Sequence, residues 1–494
     1  RHYGLETNPF SEEDAQTDPV FKDSCIKTMR HPSWDKLYGN PQEPSTALVF
    51  GEKGSGKTAL RLQMIYELKQ FNADHPDFRP FVIDYSDMNP FLDQFRNRFS
   101  RGRKISKVFH KIQLQDHLDA ILSLGITQFV DRALKPTECN YPAAVDPHPI
   151  DLSKLTAAQS RDLLSLAAAY DQCREESPYS RFKRLIGKSH GSFWKSLFLS
   201  WRDFGIGIFG SAAILTVFTH FKWYQSTSSY QWFLLFLIIA WGPYLWKLFC
   251  RFWRTSSVSR TLRMIRPDKR ELFASLMRLL PEDYSSLTLP MQGSTENRYN
   301  LLSRFIAILN NTGFNGIIVL FDKVDEPYLI NGSPDLMKEV IWPLMDNKLL
   351  KHEKLGLKFL LPIELYRFME KESKDFNEKA RLDKQNVIPS LSWSGEALFD
   401  LVNARMKACI DDEKTVSILD FFDGVDRHRL IDTFGQLRVP RHLFKFLYRL
   451  LMKHAESWSE DVPSWKITAK DFESTLALYL RDREVAERDG RGFF

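Results

Sequence analysis

The sequence predicts an α/β fold built around a parallel sheet, and three observations support this prediction. The apolar run Thr46–Phe50 precedes a glycine-rich stretch, and residues Thr58–Gln70 then carry apolar side chains at helical spacing. A second apolar run, Phe81–Tyr85, follows as a strand, which completes the strand–helix–strand unit that a parallel sheet requires. Two more buried strands are predicted at Gly316–Phe321 and Leu355–Leu361.

The segment between the first strand and the first helix has a specific motif. Residues 51–58, called the glycine-rich loop here, match the phosphate-binding pattern G-x-x-x-x-G-K-[ST] between a strand and a helix. Glycines let consecutive backbone N–H groups curve around a phosphate, and the helix N-terminus adds partial positive charge. We expect Lys57 to bridge the β- and γ-phosphates and Thr58 to ligate Mg²⁺. An ordinary glycine turn is the alternative. The predicted ligand is ATP, or alternatively GTP, with Mg²⁺, and the predicted binding residues are Gly51, Glu52, Lys53, Gly54, Ser55, Gly56, Lys57, Thr58 and Ala59.

A nucleotide-hydrolysing site also needs an acid at the end of a buried strand, where it holds Mg²⁺ and polarises water. The acidic segment, residues 322–326, directly follows the strand that ends at Phe321. We predict that Asp322 organises the metal, while Asp325 and Glu326 are alternatives for activating water. Acids after strands also serve as helix caps or solvated turns. The strand of the acidic segment is expected beside the strand of the glycine-rich loop.

The chain between these two motifs is predicted to be helical and then membrane-spanning. Helical patterns cover His117–Leu134 and Leu155–Tyr170. Phe204–Phe221 contains no Asp, Glu, Lys or Arg, and Trp232–Cys250 contains only Lys247, over lengths that span a hydrocarbon core. The aromatic residues that crowd the ends of these segments are Trp194, Trp201, Trp223, Tyr224, Trp232, Trp241, Tyr244, Trp246 and Trp253.

Basic residues flank both apolar segments on their outer sides. They are Arg181, Lys183, Arg184, Lys188, Lys195 and Arg202 before, and Arg251, Arg254, Arg260 and Arg263 after. Since Lys and Arg are enriched in cytoplasmic flanks, both flanks are predicted in the cytoplasm and the connection 222–231 outside. The prediction is a two-helix transmembrane hairpin that contacts lipid through residues 204–250. A buried helical hairpin in a soluble core is the alternative.

Two families resemble this arrangement. The pattern Asp322-x-x-Asp325-Glu326 resembles the Walker B region of STAND-type NTPases, which include NACHT domains. An apolar hairpin between the two Walker motifs is similar to the KAP NTPases, although Glu326 stands where an arginine often stands in them. The resemblance covers Thr46 to about Leu451. It implies a three-layer P-loop NTPase domain and an oligomerising, nucleotide-controlled switch at the bacterial inner membrane, in anti-phage defence, that assembles with itself or with a partner membrane or effector protein.

The C-terminal region adds a third motif. Pro440-Arg441 begins a predicted helix, as in the C-terminal helical region of KAP, STAND and origin-recognition-type AAA+ proteins. By this resemblance Arg441 reaches the γ-phosphate as a sensor; a surface arginine beside a helix start is the alternative. Arg381 and Arg405 are weaker candidates for acting on a neighbouring subunit. Glu364 and Arg367 follow a strand where a phosphate sensor can lie, or are solvated charges.

Composition excludes several classes of site. The five cysteines lie far apart without a C-x-x-C pair, which argues against zinc and disulfide frameworks, and the histidines lack metal-ligand spacing. The net charge of +6 is weak support for nucleic-acid binding, because basic residues concentrate around the apolar segments. Two alternative functions remain: a nucleic-acid-associated AAA+-like ATPase, and an ATP-binding membrane scaffold with little turnover.

The predicted organisation has six parts. They are an N-terminal arm (1–45), a first part of the NTPase core (46–103), a helical insertion (104–192), the transmembrane hairpin (193–255), a second part of the core (256–392) and a C-terminal helical lid, in one interpretation a winged-helix unit (393–494).

Overall fold

The computed structural model shows a mixed α/β chain that is mostly helical. It describes residues 5, 7–99, 103–134, 147–173, 176–188, 192–220, 227–261, 269–279, 289–291, 293–410, 416–458 and 463–488. The predicted α/β class with a parallel sheet is confirmed. The strands are β1 Ala47–Gly51, β2 Arg79–Asp84, β3 Phe314–Phe321, β4 Leu355–Pro362, β5 Asn386–Ile388, β6 Phe422–Asp423 and β7 Ile467–Thr468.

Within the described ranges, β1 to β5 form one sheet in the order β2-β3-β4-β1-β5. β1 runs parallel to β4, from Ala47 opposite Lys358 to Gly51 opposite Pro362, and also pairs with β5. Every residue of β1 is buried. A strand covered on both faces takes a continuous apolar sequence rather than an alternating one, which explains the run Ala47–Phe50.

The strand that precedes the acidic segment does not lie beside β1. It is β3, which pairs with β4 from Ile317 opposite Leu355 to Phe321 opposite Phe359, so β4 separates it from β1. The prediction of neighbouring strands was wrong. Parallel strands are joined by long crossover connections, so the order of strands along the chain does not determine their order in the sheet.

Helices account for most of the remaining described chain. They are α1 Ile26–Thr28, α2 Trp34–Tyr38, α3 Lys57–Asp74, α4 Asn89–Arg96, α5 Ile105–Phe109, α6 Leu114–Leu134, α7 Ala157–Tyr170, α8 Pro178–Lys188, α9 Ser192–His220, α10 Thr227–Thr261, α11 Lys269–Leu279, α12 Thr295–Asn311, α13 Pro334–Ile341, α14 Asn347–Leu350, α15 Ile363–Glu370, α16 Lys374–Ala380, α17 Gly395–Ala408, α18 Arg427–Leu437, α19 Pro440–Ser457 and α20 Ala469–Arg488.

The sequence pattern of residues 333–350 predicts one helix, but the structure interrupts it. α13 and α14 are separated by a 3₁₀ turn at Trp342–Leu344 that contains Pro343. Proline has no N–H and its ring clashes with the preceding turn, so it breaks the α-helix. In the C-terminal region, the short strands β6 and β7 pair in parallel beside α17 to α20.

The chain forms two compact units. The first contains Arg1–His75, Asp84–Ile112 and Ile317–Phe494, and the second contains Pro76–Ile83 and Gln113–Gly316. In the second unit α12 packs against α6 and α7, although the sequence pattern placed it with the NTPase core. Its fully buried Arg298 donates to Asp119 at 3.1 Å, and this carboxylate also accepts from the hydroxyl of Tyr170.

The second unit also contains the two long apolar helices. Leu234–Arg260 of α10 is long and apolar enough to cross a membrane, with a mean hydropathy of 1.4 and no buried residues in its most apolar window. Within the described part of α9, the apolar stretch Phe204–Val217 is shorter. Among the described residues, one membrane-spanning candidate is therefore present rather than a demonstrated pair. Residues 221–226, which include Trp223 and Tyr224, lie outside the described chain.

Small residues bring α9 and α10 into contact. A Cβ at Gly207 would lie 3.1 Å from the Trp241 ring, and one at Gly210 would lie 3.1 Å from Ala240. The Trp241 indole N–H donates to the Ser211 hydroxyl at 2.9 Å. Close approach at glycine and a satisfied polar pair are typical of helices that pack in an apolar medium.

Many large apolar side chains of these two helices are exposed. They are Phe204, Ile206, Ile208, Phe209, Leu215, Val217, Leu234, Leu235, Phe236, Ile238, Ile239, Leu245, Trp246, Leu248, Phe249, Phe252 and Trp253. Of the basic flank, Lys183, Arg184 and Arg254 are exposed, but Arg181 is buried and ion-paired with Asp171 and Asp131. Arg181 therefore belongs to the packed interior of the second unit rather than to an exposed basic surface.

In the first unit, β4 carries a buried lysine. Lys358 is 2% exposed, and its Nζ donates to the carbonyls of Leu37 at 2.7 Å and Tyr38 at 3.1 Å, at the end of α2. Burial lowers the pKa of Lys358 to about 8. In the unfolded chain lysine titrates near its ordinary value of about 10.4. Between these values the unfolded chain binds more protons, so stability increases as pH rises.

We predict that Lys358→Met removes this pH dependence. From pH 8 to pH 10 the free energy of unfolding of the wild type should rise relative to that of the variant. The full-length chain in mild detergent is followed by chemical denaturation at several pH values, with the exposed Lys351→Met as the control. An equal pH response in wild type and Lys358→Met would contradict the assignment.

Candidate functional site

The glycine-rich loop lies at the carboxyl end of β1 and leads directly into α3. Gly54 and Gly56 have φ angles of +86° and +99°, the left-handed region that favours glycine. A Cβ at Gly54 would also lie 2.5 Å from the Cβ of Arg441. The Leu60 N–H donates to the Gly56 carbonyl at 2.9 Å, so α3 begins immediately after the loop.

Lys57 folds back across the loop. Its Nζ donates to the carbonyls of Gly51 at 2.8 Å and Glu52 at 3.0 Å. Burial lowers the pKa of Lys57, and the carboxylates of Asp325, Asp322 and Glu364 oppose this shift, in that order. The Lys57 ammonium group is thus hydrogen-bonded to two neutral carbonyls and lies near carboxylates. An anionic ligand would bind the ammonium group more strongly than the carbonyls do and can replace them.

Thr58 and Asp322 are brought together although they lie far apart in the chain. Asp322 is 1% exposed, and burial raises its pKa. The Arg61 guanidinium, the Thr58 hydroxyl and the Lys323 backbone N–H oppose this shift by their charge or by hydrogen bonds to the carboxylate. The first predicted acid therefore meets the predicted metal-ligating hydroxyl.

The two alternatives for the water-activating acid occupy different environments. Asp325 is half-buried and acts on Lys57 more strongly than the other carboxylates do. Glu326 is exposed, with 58% of its side chain accessible, and pairs with Lys323 at 3.0 Å. The arrangement therefore favours Asp325, the acid that lies with Lys57.

Arg441 lies against the glycine-rich loop rather than on a remote surface. Its backbone N–H donates to the Gly54 carbonyl at 3.4 Å, and Pro440 begins α19 as predicted. Its Nε lies 4.0 Å from the carboxylate of Glu13, which also pairs with Lys445 at 3.4 Å. A carboxylate of the N-terminal arm thus pairs with Lys445 and lies at the limit of ion-pair distance from Arg441, whose buried Nε has no hydrogen-bond partner among the described residues.

Several residues of this region were not anticipated from the sequence. Trp393 donates its indole N–H to the Ser55 carbonyl at 2.8 Å, and its ring packs edge-on against His31. The His31 Nδ1 accepts from the Ser33 backbone N–H, so its Nε2 carries the proton donated to the Ser392 carbonyl. Burial lowers the pKa of His31, in agreement with a neutral ring. No local pattern marks Trp393, because its partners come from distant segments.

Arg61 and Asp84 were also missed. Arg61 is buried and pairs with both Asp322 and Asp84. Asp84 is the last residue of β2, and Asp322 directly follows the neighbouring strand β3. An arginine on the face of a helix that also carries Thr58 is the only local signal, and it does not identify its partner.

Other predicted candidates lie elsewhere. Arg405 is buried, donates to Asp18 at 2.6 Å and to the Pro9 carbonyl at 2.8 Å, and is therefore neither a surface residue nor available to a neighbouring subunit. Arg381 is 41% exposed and pairs with Asp383. Within the loop, Glu52 and Lys53 are exposed, while Ala59 packs against the arm cluster Phe21, Cys25 and Ile26.

The donor set fits magnesium better than a metal held by protein alone. In the described part of the chain, no group of three or more His, Cys, Asp or Glu side chains could hold a metal ion. Mg²⁺ is commonly bound through one or two carboxylates together with substrate phosphates and water. Thr58 and Asp322 supply such a partial set. The Ser55 hydroxyl is buried in the loop without a hydrogen-bond partner among the described residues, so the loop retains polar capacity.

Comparison of this chain with protein-family models, curated proteins and solved structures found no match. The site is therefore interpreted from its own geometry. Three features coincide in it: a glycine-rich loop before a helix, a buried acid that meets the helix-start threonine, and a lysine among carboxylates.

If this site hydrolyses a nucleoside triphosphate, we expect Asp325→Asn to slow turnover by about 10²-fold or more, the size of a lost general-base contribution. Glu326→Gln should have a much smaller effect, because its side chain faces solvent. Steady-state phosphate release by each variant, divided by that of the wild type, gives the loss of turnover. A larger loss in Glu326→Gln would reverse the assignment of the two acids, provided that both variants still bind nucleotide.

Proposed function

We propose that this chain is a membrane-anchored P-loop NTPase that binds and hydrolyses ATP, or alternatively GTP, with Mg²⁺. The observation that carries the proposal is the meeting of Thr58, at the start of α3, with Asp322, at the end of β3. Nucleotide hydrolysis requires the glycine-rich loop and the acidic segment in one site. More than half of the chain separates these two motifs, and Thr58 and Asp322 meet next to Lys57.

The residues have distinct roles in the proposed reaction. The backbone of the glycine-rich loop and Lys57 bind the β- and γ-phosphates, and Thr58 and Asp322 hold Mg²⁺. When bound, the metal neutralises charge on the phosphate oxygens. Asp325 orients the attacking water and accepts its proton, and Arg441 contacts the γ-phosphate from α19. Positioning and charge stabilisation account for most of the catalysis in this reaction class.

The proposed switch depends on the contact between the C-terminal region and the loop. Glu13 and a phosphate group are both anionic and would compete for Arg441 and Lys445. Gln16, from the same arm, accepts from Lys323 of the acidic segment at 3.1 Å. Binding of nucleotide would therefore alter arm contacts at two points, and in our proposal this change in the arm controls assembly into an oligomer.

The proposed anchor is the helical pair α9 and α10, with the first unit in the cytoplasm, at the inner membrane of a bacterium. The long row of exposed apolar side chains on α10 supports this proposal, because such a surface is unfavourable in water. Exposed basic residues that flank the two helices in sequence, such as Lys183, or lie near the end of α10, such as Arg254, suit the cytoplasmic headgroup region.

Nucleic-acid binding is less well supported. The exposed face of α20 carries Asp471, Glu473 and Asp482. Glu473 is paired with Arg429 at 2.7 Å and Asp482 with Arg449 at 2.8 Å. A helix face that binds phosphates or base edges needs basic side chains that can contact them. Arg429 and Arg449 are instead paired with carboxylates of α20.

Fluorescence titration with ribose-labelled ATP tests nucleotide binding and the arm contact together. Lys57→Ala should abolish binding, because the main phosphate cation is lost. Glu13→Gln should tighten binding about two- to fivefold, the size expected for removing one exposed charge pair. Glu12→Gln is the matched control on the same arm and should bind as the wild type does. Wild-type protein that binds no labelled ATP would rule out the proposal, and unchanged affinity in Glu13→Gln would rule out the competition.

Membrane fractionation tests the anchor. The wild type should stay with membranes after washes with high salt and alkaline carbonate and should be released by detergent. The double variant Ile238→Asp and Ile239→Asp should be lost from the membrane, since each central aspartate costs about 3 kcal/mol on insertion. Leu478→Asp, an exposed leucine of α20, is the control. Recovery of the wild type in the soluble fraction without detergent would refute the anchor.

A further inference from the structure

The strongest unassigned feature is a buried arginine beside the predicted metal site. Arg61 lies one turn after Lys57 and Thr58 on α3, so its side chain follows the same face of the helix. It is 3% exposed. A cation this deeply buried requires partners of opposite charge.

Arg61 contacts the ends of two strands. Its Nε donates to Oδ2 of Asp322 at 3.2 Å, and its Nη1 donates to Oδ2 of Asp84 at 2.5 Å and to the Ser86 hydroxyl at 3.3 Å. Asp84 is the last residue of β2, and Asp322 follows the last residue of β3, the neighbouring strand. The guanidinium therefore links both strand ends to the helix of the glycine-rich loop.

The geometry points to Arg61 as a positioning residue for magnesium, a role that rests on the proposed function. A planar guanidinium donates in fixed directions, so Arg61 orients the carboxylate of Asp322 towards the Thr58 hydroxyl, the other predicted metal ligand. Asp84 holds the other side of the guanidinium and balances its charge, so that the charge of Asp322 remains available to Mg²⁺.

A purely structural ion pair predicts a different outcome. Buried pairs often contribute little net stability, and loss of a structural pair would weaken folding and every ligand interaction alike. Loss of a residue that orients a metal-binding carboxylate instead weakens the metal response selectively, typically 10- to 100-fold in metal affinity. The Mg²⁺ dependence of nucleotide binding, compared with the nucleotide affinity without Mg²⁺, therefore distinguishes a positioning role of Arg61 from a structural one.

The experiment measures binding of ribose-labelled ATP to the full-length chain in detergent, first in EDTA and then during titration with MgCl₂. Arg61→Met should raise the half-saturating Mg²⁺ concentration by about tenfold or more, with nucleotide affinity in EDTA changed less than about threefold. Arg61→Lys keeps the positive charge but lacks the planar guanidinium. Its half-saturating Mg²⁺ concentration should therefore lie between those of the wild type and Arg61→Met. Asp84→Asn removes only the charge of the second carboxylate that Arg61 binds, and it should also raise the half-saturating Mg²⁺ concentration.

Arg405→Met is the matched control. Arg405 is equally buried and ion-paired, but its partners are Asp18 and Pro9 rather than residues of the site. It should keep the wild-type Mg²⁺ response. A wild-type Mg²⁺ response in Arg61→Met, Arg61→Lys and Asp84→Asn, or an equal loss of affinity in EDTA, would overturn the positioning role. Absence of nucleotide binding by the wild type would instead refute the proposed function.

Discussion

Burial of β1 between β4 and β5 is the constraint on which the rest of the first unit depends. Its parallel register with β4 ends at Gly51 opposite Pro362, which places the glycine-rich loop at the carboxyl edge of the sheet. The same edge receives the residues that follow β2 and β3, because all strands run in one direction. The sheet therefore brings Thr58, Asp84 and Asp322 together without any local contact along the chain.

The charges at this edge depend on one another. Burial favours the neutral forms of both Lys57 and Asp322, lowering the pKa of the lysine and raising that of the aspartate. Each opposes the shift of the other, and Arg61 further lowers the pKa of Asp322. Removal of one member leaves an uncompensated buried charge, which is costlier than the loss of the whole group. The site is thus a balanced set rather than a sum of independent contacts.

The second unit poses a different physical problem. Part of it is a packed interior in which buried charges are paired, as Arg298 is with Asp119. The helices α9 and α10 instead expose long apolar side chains such as Ile238 and Trp253. A surface of this kind needs an apolar environment, which is the physical basis for proposing lipid around these helices.

Contiguous sequence by itself determined the glycine-rich loop, the buried strands, the acids that follow β3 and the apolar character of α10, because each depends on neighbouring residues and their spacing. Only the tertiary structure decided that β4 separates β1 from β3, that Asp325 rather than Glu326 lies with Lys57, and that Arg61, Trp393 and Glu13 belong to the site. It also removed Arg405 from the candidates. These outcomes depend on contacts between segments that are distant in the chain, and neither periodicity nor motif spacing specifies such contacts.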